Sequence, residues 1–159
     1  MQAPARASLL GLVVLPLALG SAPAAKRALP CRPALAKGSL PVWARGGFHP
    51  PTTSIPHVVG RWGRIVAILF GYPLTSPPPK DHNNKILWVA KLPVESLTNL
   101  RIRAQRMSGS RAVGAPVSRT VQGGPGPSYV NLPAAGCWRL SLRWAHQVDS
   151  LDLRYEPRA

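Results

Sequence analysis

Acidic residues are scarce in this 159-residue chain: five Asp and Glu stand against twenty Lys and Arg, giving a formal net charge of +15. The five acids are Asp81, Glu95, Asp149, Asp152 and Glu156, and so few carboxylates leave little scope for a glycosidase-like pair. Asp149 and Asp152 lie three apart in a stretch that reads as a strand, so they point to opposite faces and cannot cooperate. The four histidines, His49, His57, His82 and His146, fall in segments that read as loops and turns, with no pair at metal-ligand spacing. Asp81 beside His82 outlines a base with its orienting carboxylate, yet no Ser or Cys sits in a nucleophile motif to use it. The residues therefore point to a non-enzymatic protein without a metal or other cofactor. Long hydrophobic runs are lacking too: Leu9 to Leu19 is interrupted by Pro16 and falls short of the roughly 20 residues that span a bilayer.

Proline and glycine are plentiful, at 19 and 14 residues, which disfavours long helices and favours strands joined by turns. Residues 1–24 have the three zones of a cleavable signal peptide: Arg6 in the n-region, the apolar stretch, then Ala22 and Ala24 as the small residues before a cut. Export to a secreted or extracytoplasmic place in the cell envelope is the expectation, with no transmembrane helix remaining after removal. The loss of Arg6 would lower the net charge from +15 to +14. Residues 25–60 show neither a period of 2 nor one of 3.6 and read as an irregular basic Pro/Gly-rich segment, with a short strand near Val42 to Arg45.

Residues 61–159 carry the strand signals. Ile65 to Phe70 and Lys85 to Val89 are compact apolar runs that predict strands buried on both faces. Between them, Thr75 to Asn84 contains three consecutive prolines and a polar cluster, the composition of an exposed loop. Leu100 to Gln105 alternates, with Arg101 and Arg103 on the polar side. Ser108 to Ser110 predicts a turn, and Val117 to Val121 another strand. The run Gly123 to Pro127 lacks the lysine and helix of a phosphate-binding loop and reads as a turn. Trp138, Leu140, Leu142 and Trp144 share one face of a strand, as do Leu151, Leu153 and Tyr155 of the next. A turn centred on His146 and Gln147 pairs Leu142 with Leu151, Leu140 with Leu153, Trp138 with Tyr155 and Arg139 with Arg154. The whole predicts an all-β fold, an immunoglobulin-like antiparallel β-sandwich of about seven strands preceded by an irregular N-terminal segment.

The elements S-Y-V-N-L-P, A-G-C-W-R-L and D-S-L-D-L-R-Y within Ser128 to Tyr155, with K-I-L-W-V at Lys85 to Val89, resemble small uncharacterised exported bacterial proteins with a C-terminal immunoglobulin-like β-sandwich. Gly136-Cys137-Trp138 is the most distinctive piece. The resemblance implies an exported sandwich and carries no catalytic residues.

Cys31 and Cys137 are the only cysteines. In an oxidising compartment the pair can form a disulfide that ties the irregular segment to the last hairpin, the alternative being a buried Cys137 and a free Cys31. Trp88, Trp138 and Trp144 read as core, while Trp43 and Trp62 are the candidates for exposure. Arg139, Arg143 and Arg154 lie on the outward side of the C-terminal hairpin and form a candidate anion-binding face. Its expected partners are anionic envelope polymers or lipid head groups. No specific nucleic-acid motif is present. The expected role is an envelope-associated or secreted binding module; a secreted hydrolase assembled only in three dimensions, or a structural or inhibitory partner of an envelope protein, are the alternatives.

Overall fold

In a computed structural model of the chain, which describes residues 30–49, 53–80, 83–91 and 98–158, ten strands form two packed sheets. In chain order these are β1 (Leu35–Ala36), β2 (His57–Val59), β3 (Ile65–Leu69), β4 (Thr75–Ser76), β5 (Lys85–Ala90), β6 (Leu100–Ser108), β7 (Arg111–Val121), β8 (Pro127–Tyr129), β9 (Gly136–Trp144) and β10 (Gln147–Pro157). Sheet I has the order β1-β2-β3-β5-β8 and sheet II the order β4-β10-β9-β6-β7. Every pairing is antiparallel except the short one between β4 and β10. This is an all-β sandwich, with ten strands in place of about seven; the extra ones are the short strands β1, β2 and β4, too brief to leave a periodic trace.

The central core lies between the sheets. Ile65, Ala67 and Leu69 of β3 and Ile86 and Trp88 of β5 meet Ile102, Leu140, Leu151, Leu153 and Tyr155 from sheet II. Each fully buried large side chain contributes about 1.5–3 kcal/mol. Three polar tips inside this core are engaged: Tyr155 Oη donates to the Val130 carbonyl at 2.6 Å, Trp88 Nε1 to Ser128 Oγ at 3.0 Å and Trp138 Nε1 to the Ala134 carbonyl at 2.9 Å. Burial pushes the Tyr155 hydroxyl well above its ordinary pKa, so it serves as a neutral donor.

All five residues of β3 are buried, as its unbroken apolar run predicts, and the cover on its second face comes from the N-terminal segment. Val66 and Ile68 pack outward against Leu40 and Ala44, with Trp43, Phe48 and Ile55 around them. The division at residue 60 is thus not a structural boundary: residues 30–60 supply two strands of sheet I and a third layer over it. Val42–Ala44 is a 3-10 turn and not a strand, following the fixed φ of Pro41. Trp43 is partly buried in this layer and is not a free aromatic.

Two further differences from the sequence reading have local causes. The segment from Thr75 is not wholly exposed loop: β4 pairs with the end of β10, and Asn84 is fully buried. The Asn84 amide accepts from Thr75 N and donates to the Thr75 carbonyl and to Asn131 Oδ1, all at 2.9 Å, so a polar group can occupy the interior. His57 lies on β2, only 3% exposed, its Nδ1 donating to the Ile55 carbonyl at 2.7 Å; it is a satisfied interior residue and not a solvated loop residue.

The β9–β10 hairpin has the expected faces but a different register. Leu140 faces Leu151, Trp138 faces Leu153 and Arg139 faces Asp152. The turn is centred on Ala145 and His146, one residue earlier than the sequence suggests. Moving a turn centre by one residue shifts the register by two, which leaves every side chain on its original face.

Candidate anion-binding face

The outer face of sheet II is assembled from alternate residues of β6, β9 and β10, and the register decides which arginines meet. Arg139 is opposite Asp152, not Arg154, and binds it through two contacts, Nε to Oδ1 at 2.9 Å and Nη2 to Oδ2 at 3.0 Å. The Asp152 side chain is 2% exposed. Its Oδ2 also accepts from the backbone N–H of Arg32 at 2.9 Å and from Arg61 Nη2 at 3.4 Å. Burial alone would raise the pKa of this carboxyl, but the hydrogen bonds from Arg139 and Arg32 and the charges of Arg139 and Arg61 outweigh it and hold it below the usual aspartate value.

Asp152 thereby pins the N-terminal arm to sheet II. Beside it, Cys31 and Cys137 are joined with an S–S distance of 2.02 Å. Cys31 N donates to the Gly109 carbonyl at 2.9 Å, and Arg139 Nη2 reaches the Pro30 carbonyl at 3.2 Å. The disulfide lies on the outer side of sheet II and not across the core between sheets: Cys137 faces Met107 of β6, which is buried although it sits on the outward side.

The three arginines singled out from the hairpin therefore separate. Arg139 is neutralised by Asp152. Arg154 lies opposite Cys137 and lines a different, smaller apolar notch of about 220 Å³ with Pro33, Leu35, Tyr72 and Glu156. Arg143 alone of the three remains on the open face with no ion-pair partner among the described residues.

Arg143 is joined there by two residues from β6. Arg101 is its direct cross-strand neighbour, and Arg103 lies opposite Ser141. All three are exposed, and among the described residues no carboxylate is within ion-pair distance of them. A cross-strand pair of like charges such as Arg101 and Arg143 is destabilising by itself. They border an open groove of about 780 Å³ that also carries Ser118 and Thr120 of β7 and Ser150 of β10. Alternation along Leu100 to Gln105 identifies Arg101 and Arg103 as outward residues; their meeting with Arg143 follows from β6 and β9 being neighbours, which no local pattern reports.

At the far end of the groove stands Trp62, 59% exposed, on the turn between β2 and β3. Asp149 fixes that turn: its carboxylate accepts from the backbone N–H of Trp62 at 3.1 Å and of Arg64 at 3.0 Å. Gly60 is required because a Cβ there would collide with the Asp149 carboxylate. The Arg64 guanidinium lies 5.8 Å from the Trp62 ring centroid and covers one side of it. Trp43 lies in the layer over sheet I, so it and Trp62 do not form one patch.

Among the described residues the remaining candidates do not gather into a catalytic centre. Asp149 and Asp152 occupy opposite faces of β10, His146 is exposed on the hairpin turn, and Asp81 and His82 lie outside the described residues, as does the stretch 1–24 expected to be a leader. Among the described residues no three His, Cys, Asp or Glu side chains could together hold a metal ion, and no helix is long and apolar enough to cross a membrane. The chain matches no protein-family model, no curated protein and no solved structure.

Proposed function

We propose that the protein is an exported, non-enzymatic binding module that holds an anionic polymer on the outer face of sheet II. The observation that carries this reading is the set of Arg101, Arg103 and Arg143, side by side on an open groove with no carboxylate among the described residues within ion-pair distance of them. Asp152 gives the contrast, since this buried acid opposite Arg139 is committed to that arginine and to the N-terminal arm. Like charges kept opposite one another at a cost in stability are favourable once an external anion sits between them. The leader pattern of residues 1–24 supports placement outside the cytoplasm, where anionic envelope polymers and lipid head groups are the available ligands.

The test is binding of the purified protein to immobilised dextran sulfate at low ionic strength. Replacing Arg101 and Arg143 with Ser should strip most of the retention, whereas Arg111→Ser with Arg154→Ser, which removes the same charge from other exposed sites, should strip much less. Equal losses from the two pairs would show that net charge alone drives binding and would overturn the groove as the site.

A further inference from the structure

The groove is not uniformly basic, and its gradient of chemistry narrows the class of polymer. It runs across the strands, which are spaced by about 4.8 Å, so that β7 to β10 spans about 14 Å before Trp62 is reached. At the β7 end the lining carries the hydroxyls of Ser118 and Thr120 beside Arg119. Over β6 and β9 it is cationic, with Ser141 between the arginines. Past β9 it ends on Val148 of β10, 37% exposed, and on the Trp62 indole. An exposed tryptophan held in place by a buried carboxylate, Asp149, at the end of a cationic groove needs a ligand that offers flat C–H surface as well as charge.

We propose that the polymer is an acidic polysaccharide, whose sugar rings stack on Trp62 while their carboxylate or sulfate groups meet Arg101, Arg103 and Arg143; this rests on the basic-groove reading above. A polyphosphate chain satisfies the guanidinium groups but leaves the indole and Val148 unused. A neutral glycan does the reverse. The serine and threonine hydroxyls between and beside the arginines suit a ligand rich in hydroxyl groups. Arg64 backs one face of Trp62 and leaves the ring as a one-sided platform, the arrangement a single passing ring requires.

The experiment is calorimetric titration of the full chain with oligogalacturonate, dextran sulfate, unmodified dextran, linear polyphosphate and oligo-dT, with intrinsic fluorescence read in parallel. The two acidic glycans separate carboxylate from sulfate as the preferred anion. Trp62→Ala should weaken binding of at least one of them about tenfold and leave polyphosphate affinity unchanged, while Trp62→Phe, which keeps a stacking ring, should retain most of the affinity. Loss of glycan binding in Arg101→Ser with Arg143→Ser but not in Trp62→Ala would overturn the saccharide proposal and leave the basic groove standing. Indifference to the arginine pair would overturn both. Unmodified dextran binding as tightly as the acidic glycans, or a Trp62-dependent preference for oligo-dT, would also overturn it.

Discussion

Asp152→Asn is the most informative single change for stability, because one carboxylate holds the N-terminal arm, β9 and β10 together. In the native protein it receives three hydrogen bonds of 2.9 to 3.0 Å, two from Arg139 and one from Arg32 N. Breaking a fully buried ion pair by removing one partner costs about 3–5 kcal/mol. The Arg139 side chain is 18% exposed, so water recovers part of its solvation, and the asparagine keeps one acceptor; the expected loss is about 2–3 kcal/mol. Urea denaturation at neutral pH measures it directly. The pH dependence gives a second check. Since the folded-state pKa of Asp152 is depressed, its contribution is fully present above the ordinary aspartate value of about 3.9 and is lost as pH falls through the lower folded value. The stability gap between wild type and Asp152→Asn should therefore be constant from pH 7 to 5 and close below about pH 4. A variant within about 0.5 kcal/mol of wild type at neutral pH, the usual range of an uninvolved surface change, would refute the assignment of Asp152 as the anchor of the arm.

Removing the disulfide by Cys31→Ser with Cys137→Ser should cost about 2–5 kcal/mol by urea denaturation, since the bridge closes a long loop, and a loss under 1 kcal/mol would contradict the anchoring role of residues 30–32. Ala145 has a φ of 43° in the hairpin turn, so Ala145→Gly should stabilise the protein by up to about 1 kcal/mol in thermal melts; destabilisation would show that the turn centre is elsewhere. Export predicts that protein recovered from the culture medium or envelope begins near Ala25 by N-terminal sequencing, and an intact Met1 on cytoplasmic material would contradict it.

Side-chain facing was legible in the sequence because it depends only on period two. Leu100 to Gln105, Cys137 to Trp144 and Ser150 to Tyr155 all show the facing their alternation predicts, and the unbroken run Ile65 to Leu69 is covered on both sides. What alternation cannot report is pairing. The hairpin register depends on a turn whose Ala-His pair has no Asn-Gly signature, and the misplaced centre put Arg139 opposite Arg154 in place of Asp152. That single shift changed the apparent site: the charge of Arg139 is cancelled, and Arg154 belongs to another notch. Arg101 and Arg103 join Arg143 because β6 lies beside β9, a long-range adjacency. The N-terminal segment was illegible for a related reason, since Leu40, Ala44 and Ile55 reach β3 from loops with no period of their own.

The measurement that bears most directly on the central claim is the salt dependence of polyanion affinity. Association of dextran sulfate with the wild-type protein should fall steeply between about 50 and 200 mM salt, because each arginine engaged releases condensed counterions. Arg101→Ser with Arg143→Ser should flatten the slope of log affinity against log salt by an amount corresponding to two lost ionic contacts, while Arg111→Ser with Arg154→Ser should lower affinity slightly at an unchanged slope. An unchanged slope in the groove variant, or the same flattening in both pairs, would contradict a site built from Arg101, Arg103 and Arg143.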